Sequence, residues 1–387
     1  MESPLAGLRV LDLSRVLAGP FAGRMLADLG ADVVKVEPPE GDITRGWGAL
    51  RHGIGGYYTQ QNAGKRTLCL DLEAPGALPL LLRLAQRADV LIENFRTGVA
   101  QRLGLGWQAL HGLNPRLVML SISGFGASSP EAGRAAYASV LHAEAGIVER
   151  QAHFDSAPYT DPVLSIADMN AGLHGLVGVL AALQLRERTG SGQHVDIGML
   201  DVMLATDDYA HFALDETPII RGGGEIWDAP GGPIMITGEF RNIWRVLTAK
   251  LGVIDPTPPG AELAEKIRAR RGAAADFFRS FPNRAALIAA LDRANLAWGD
   301  VRTTEAAFES PTARARGSAV WLDDRGGGKR RVVQSPYRFS AAQSGVRGHA
   351  AYRGEHNRAV LTDWLGASGD EITKLEEARV LLAEERA

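Results

Sequence analysis

Apolar residues along the chain fall into two alternating rhythms. Short unbroken runs rich in Val, Leu and Ile occur at Leu8–Leu13, Asp32–Glu37, Thr67–Asp71, Asp89–Glu93, Leu117–Ile122 and Gln193–Gly198, the signature of strands buried on both faces. Between them, three- and four-residue spacing predicts helices over Phe21–Leu29, Gly76–Ala88 and Trp107–Leu113. Strand and helix alternate, so the expected fold class is α/β with a mostly parallel, doubly wound sheet. After a helix at Leu200–Leu214, turn-rich segments at Arg221–Gly224 and Pro230–Pro233 mark a boundary. A strand at Gly232–Thr237 follows, then helices at Phe240–Leu251, Ala261–Ala269, Ala273–Phe281 and Arg284–Ala294. A hairpin around Gly326–Gly328 and two closing helices, Gly354–Gly366 and Asp370–Leu382, complete the pattern.

One segment departs from both rhythms. From Ala171 to Ala182, Ala and Gly recur at helical spacing among Leu and Val, giving a helix apolar nearly all round, which is expected to be buried. Asp168 stands where this helix begins, within the run Ser165–Gly172. There, backbone N–H groups and the helix dipole favour an ionised carboxylate, and such a group in a dry setting can act as a nucleophile. The simpler reading of an Asp at this place is a helix cap.

Composition narrows the class. The 387 residues are 45% hydrophobic and 22% charged, with formal net charge −3, values typical of a globular protein and without a field that would recruit nucleic acid or an acidic membrane. Cys69, the single cysteine, cannot form an internal disulfide. The first residues lack a signal peptide's basic start and apolar core, and the long apolar runs are interrupted by Gly or charge, so a cytoplasmic location is expected. Nine histidines show no metal-ligand spacing, and neither a GxSxG elbow nor a Walker lysine motif is present. Gly124-Phe125-Gly126 lacks the third glycine of a dinucleotide fingerprint, leaving an oxidoreductase reading little support.

Collinear motifs then bear on identity: GLRVLDLSRVLAGPFAG, LADLGADVVKVEPPEGDITRGWG, NAGKRTLCLDL, ENFRTG, SISGFG, SIADMNAGLHG, RTGSGQHVDIGMLD and, near the end, SPYRFS and GEHNRAVLTDWLG. In this order and spacing the chain resembles the class III CoA-transferases, of the formyl-CoA and carnitine CoA-transferase type. The resemblance implies a Rossmann-like CoA-binding domain formed by residues 1–220 with 335–387, a small α+β domain at 221–334, and an interlocked homodimer. It implies no tightly bound cofactor, with acyl-CoA and a carboxylic acid as substrates, and Asp168 as the nucleophile that forms an aspartyl anhydride and then an aspartyl-CoA thioester. CoA-binding positions carried over are Leu17, Ala18, Leu70, Asp71, Leu72, Glu73, Asn94, Phe95, Arg96, Arg102 and Tyr137.

Departures are equally specific. Pro38 replaces a basic residue, Ala135 a lysine, Leu17 a glutamine, and Arg15 a histidine of formyl-CoA transferase, which leaves the acid specificity open; Gly222–Gly224 is the nearest counterpart of that enzyme's glycine-rich loop. The α-methylacyl-CoA racemases share the aspartate but pair it with a histidine that would fall at Tyr137, a poor base near neutral pH; His142 is a candidate substitute or a structural histidine. A CoA-binding protein without catalysis is the alternative of another class. Arg241 and Trp244 are read either as acyl-site residues or as a surface arginine and a core tryptophan.

Overall fold

The computed structural model describes residues 1–220 and 222–384. Contacts divide the chain into a unit of residues 1–210 with 315–387 and a unit of residues 211–314.

In the first unit six strands form a parallel sheet: β1 (Arg9–Asp12), β2 (Asp32–Glu37), β3 (Arg66–Cys69), β4 (Val90–Glu93), β5 (Val118–Ser123) and β6 (His194–Gly198). Their order, β3-β2-β1-β4-β5-β6, is the doubly wound one, with the chain reversing direction across the sheet between β1 and β4. Register pairs Val10 with Val33 on one side and Val90 on the other. The pleat sends Val10, Val33, Ile92 and Leu120 to one face and Leu11, Val34, Leu68 and Met119 to the other, each into its own apolar core. This two-sided burial is why the strands read as unbroken apolar runs.

Helix α1 (Ala18–Asp28) begins three residues earlier than Phe21, with Pro20 in its first turn, where no intrahelical N–H partner is needed. Across the opposite face lies α2 (Ala77–Arg87), whose Leu80, Leu81 and Leu84 are buried. The short helix α3 (Ala138–Glu144), unforeseen from the pattern, precedes the long helix α4 (Ile166–Thr189). The small residues of α4 mark close approaches. A Cβ on Gly172 would lie 2.7 Å from the Ala18 carbonyl oxygen and 2.9 Å from Phe21, and one on Gly178 would lie 2.6 Å from Val195. Only glycine lets α4 lie this near α1 and the sheet.

The expectation that α4 is buried all round is corrected. Leu173, Val177 and Leu180 on its outer side are 40%, 63% and 36% exposed, because one side alone meets the sheet and α1. By length and composition α4 is the one described helix long and apolar enough to cross a membrane, although its inner side packs in the sheet core. The predicted helix at 200–214 is two pieces, α5 (Met199–Ala205) and Ala210–Leu214, interrupted where the Asp207 carboxylate accepts from the Tyr209 N–H and pairs with Arg150 at 2.7 Å.

The second unit is built on a three-stranded antiparallel sheet of β7 (Gly224–Trp227), β8 (Ile234–Thr237) and β9 (Trp298–Asp300), with β8 central. Helices α6 (Phe240–Leu251), α7 (Leu263–Arg279) and α8 (Arg284–Ala294) pack on it around Trp227, Trp244 and Phe278. The two helices expected between Ala261 and Phe281 are one. Gly222 to Gly224 lie in this unit, with Gly224 opening β7, whereas Arg221 falls outside the described residues. Trp244 is core and Arg241 is exposed.

The hairpin β10 (Ala319–Asp323) and β11 (Lys329–Val333) was expected in the small domain but belongs with the first unit. Buried Arg330 ties it there, donating to the carbonyls of Ile54 (2.8 Å) and Ala49 (2.8 Å) and to the Thr59 hydroxyl (2.9 Å). The chain closes through α9 (Asn357–Leu365) and α10 (Gly369–Glu377), after which Leu381 bridges to Leu70 beside the sheet edge.

Candidate active site

A cavity of about 390 Å³ opens beyond the carboxyl ends of β1, β4 and β5, at the point where strand order reverses. Its lining comes from the loop after β1 (Arg15, Val16, Ala18), the loop after β4 (Asn94–Thr97), the end of β5 (Ser123, Gly124), residues 134–137 and Asp168 in the first turn of α4.

The backbone N–H groups of Ala18, Asp168 itself and Ala138 lie close enough to the Asp168 carboxylate to favour its ionised form. These belong to the first turns of α1, α4 and α3, so three helix N-termini converge on one carboxylate. Burial nevertheless dominates, raising its pKa from 3.8 to about 6, while the three N–H groups pull the other way, as a protonated His142 would. Nearby Tyr57 is pushed to about 12, by burial first and then by the negative charge of Asp168. No periodicity singled Tyr57 out.

The loop that brings the Ala18 N–H to this carboxylate is strained. Val16 has φ of +69°, a left-handed conformation unfavourable to a β-branched residue. A buried ionic network holds it. The Asp42 carboxylate accepts from the Val16 N–H at 3.2 Å and pairs with Lys35 at 3.0 Å, and Lys35 donates to the Ser14 carbonyl at 2.7 Å. Deeper still, Lys65 donates to the Asp12 carboxylate (2.8 Å), the Pro20 carbonyl (2.8 Å) and the Asn62 side chain (2.9 Å). Glu37 accepts two bonds from Arg45 at 2.7 and 2.6 Å and one from the Tyr58 hydroxyl at 2.7 Å. Burial works against the charge on Asp42, but Lys35 and the Thr44 bonds win and hold it at about 2. Sequence reading passed over this network because its members lie far apart in the chain and look individually like strand-end charges.

Of the sequence-derived site residues, the structure brings together Ala18, Asn94, Phe95, Arg96, Tyr137 and Asp168 around the cavity. Asn94 joins two loops across the reversal point: its side chain accepts from the Arg15 N–H and donates to the Arg15 carbonyl, each at 2.8 Å. Leu17 is buried at the N-cap of α1, outside the lining. Leu70, Asp71, Leu72 and Glu73 follow β3 at the edge of the sheet, with Leu70 fully buried, and Arg102 is exposed; none of the five lines the cavity. Arg96 is exposed at the cavity, and Thr97, also lining it, has a buried hydroxyl without a hydrogen-bond partner.

His142 is not free to act as a second base. It is fully buried; its Nδ1 lies 2.7 Å from the Asp161 carboxylate, and its Nε2 meets the N–H groups of Ile166 and Ala167. No group of three or more metal-ligating side chains occurs among the described residues.

A doubly wound sheet with a desolvated carboxylate in the crevice at its reversal point defines an α/β protein with its ligand site where such sheets bind ligands. The model of CoA-transferase family III matches residues 5–357, and the chain belongs to that family, whose substrates are CoA thioesters. It is 33% identical over 386 residues to a succinate–glutarate CoA-transferase of Agrobacterium fabrum, covering 94% of this chain and 96% of that protein. A succinyl-CoA–D-citramalate CoA-transferase of Chloroflexus aurantiacus is 32% identical, with 98% of each covered. The crystal structure of a CAIB/BAIF family protein from Brucella suis superposes with a TM-score of 0.80 at 30% identity, over 94% of this chain and all of that one. The activity is therefore that of a class III CoA-transferase, in a family whose named relatives here move CoA between carboxylic acids.

Proposed function

We propose that Asp168 is the covalent nucleophile of this transfer. Its carboxylate attacks the thioester carbonyl of an acyl-CoA, the C–S bond breaks, and CoA leaves as thiolate from a mixed anhydride. The thiolate attacks the aspartyl carbonyl, releasing the donor acid and leaving an aspartyl-CoA thioester. An acceptor carboxylate then displaces the thiolate to form a second anhydride, and attack of the thiolate on the acceptor's carbonyl yields the new acyl-CoA and free Asp168. No water enters, so thioester energy is retained only if the site is dry.

The carrying observation is the environment of Asp168: a carboxylate raised to about 6 by burial yet addressed by three backbone N–H groups. Burial makes the anion more reactive than one in water, and the same donors can receive negative charge that builds on the aspartyl oxygen when thiolate attacks. Arg15 and Arg96 at the cavity, beside Arg134, supply cations for anionic parts of the substrates. The relatives named for succinate, glutarate and D-citramalate support a dicarboxylic acid as acceptor.

Trapping tests this. Incubation with acyl-CoA and hydroxylamine should leave a hydroxamate on the peptide containing Asp168, and full transfer activity in Asp168→Ala would refute the assignment. The functional unit is a homodimer, for which the exposed Leu173, Val177 and Leu180 stripe on α4 and neighbouring exposed Tyr159, Val163 and Leu164 offer an apolar surface.

A further inference from the structure

The first turn of α4 carries the nucleophile, yet its own cap is missing: Ser165 occupies the N-cap position and makes no side-chain bond to the turn. The Ile166 N–H of that turn meets the Leu164 carbonyl at 2.8 Å, which leaves the Ala167 N–H as the donor that lacks a backbone acceptor in a largely buried place. One side chain from outside the helix reaches both, 24 and 25 positions away. His142 Nε2 stands 3.1 Å from the Ile166 nitrogen and 3.3 Å from the Ala167 nitrogen.

We propose that His142 is a positioning residue, whose neutral imidazole caps the helix bearing Asp168 and fixes the aim of its carboxylate. The inference rests on Asp168 being the nucleophile.

Hydrogen-bond bookkeeping allows one protonation state. Backbone N–H groups only donate, so Nε2 must present its lone pair to Ile166 and Ala167. An ionised Asp161 only accepts, so Nδ1, 2.7 Å away, must carry the proton. The opposite tautomer points an N–H at two other N–H groups and sets a lone pair against a carboxylate. The imidazolium keeps the Asp161 bond but places a positive charge and an N–H against the positive end of α4. Asp161, from the segment before α4, and Asp168, on α4 itself, are the acidic groups that act on the ring. Asp161 selects the tautomer; the helix end selects neutrality. A neutral ring exerts no full positive attraction on Asp168, so burial then acts on that carboxylate with less opposition.

The placement matters for chemistry because Asp168 is the residue directly after the two capped ones. Its carboxylate must meet N–H groups from α1 and α3 as well as its own. Loss of the cap frees the turn to fray, and displacement by about 1 Å costs up to about a hundredfold in rate.

The experiment uses full-length protein. In 15N-histidine-labelled protein, one- and two-bond proton–nitrogen correlation spectra should show His142 neutral, protonated on Nδ1, at neutral pH; a ring protonated on Nε2 overturns the proposal whatever the variants do. In steady-state transfer, His142→Leu should lower kcat about 10- to 100-fold with KM for acyl-CoA within about threefold, and His142→Gln, which returns an acceptor at the same reach, should recover most of the loss. Wild-type kcat in His142→Leu beside an inactive Asp168→Ala overturns the cap alone. An active Asp168→Ala overturns the nucleophile and with it the catalytic meaning of the cap. If His142→Leu does not fold, the tautomer and the Gln variant decide.

Discussion

Lowering the pH from 7 to 5 should slow the first half-reaction about tenfold. The attacking species is ionised Asp168, whose pKa stands at about 6 because its carboxyl is withdrawn from water into the cavity beyond β1 and β4. At pH 7 about nine-tenths of the carboxyl is ionised and at pH 5 about one-tenth, which gives the ratio. A carboxyl at its ordinary 3.8 would be more than nine-tenths ionised at both, with no visible change. The measured quantity is kcat/KM for the acyl-CoA donor in a ping-pong transfer, which reports free enzyme and donor and is untouched by ionisation of the acceptor acid. Neutral His142 moves the break upward, not down. A profile flat to pH 5, or breaking below about 4.5, would refute the claim that burial governs this carboxylate. The stability consequence has the opposite sense: the folded state binds this proton more tightly than the unfolded chain, so stability falls as pH rises from 3.8 to about 6. That penalty is absent below 3.8 and complete above 6. The full interval corresponds to about 3 kcal/mol, and partial solvent access leaves roughly half.

Four further outcomes are expected. Lys65→Met should destabilise by about 3–5 kcal/mol in chemical denaturation, since it leaves Asp12 charged and unpaired in the core. Asp42, held at about 2 by Lys35, contributes stability that is complete above its unfolded value of 3.8 and lost as pH falls through 2; Asp42→Asn should therefore flatten the acid limb of the unfolding curve and, by releasing Val16, lower kcat. Gly172→Ala should destabilise by about 1–3 kcal/mol and slow transfer, because the added methyl meets the Ala18 carbonyl and Phe21 and pushes α1 from the carboxylate its N–H serves. Val177→Glu should lower the mass seen by light scattering if the exposed stripe of α4 is a subunit interface; an unchanged mass would remove that assignment.

Local pattern carried much of this protein. The apolar runs from Leu8 to Gly198 announced the parallel sheet because strands covered on both faces have no polar side to show, and Asp168 was conspicuous because a charge interrupts the start of an apolar helix. Strands β7 and β9 escaped notice because three or four residues become a strand only when β8 supplies their partners. The full course of Leu263–Arg279 was hidden by Gly272, whose cost to a helix interior is overridden by packing of Ala274 and Phe278. The hairpin was assigned to the wrong unit because its anchor, Arg330, bonds to residues some 270 to 280 positions away.

The sequence by itself determined that a carboxylate begins an apolar helix and that parallel strands lie behind it. Only the tertiary structure decided what that carboxylate feels: N–H groups from three helices, a strained Val16 held by Asp42, and His142 spent on the turn below instead of on chemistry. The physical reason is range. Apolar periodicity is written in neighbouring residues, whereas desolvation and hydrogen-bond partnership depend on which distant segments the folded sheet brings to one crevice.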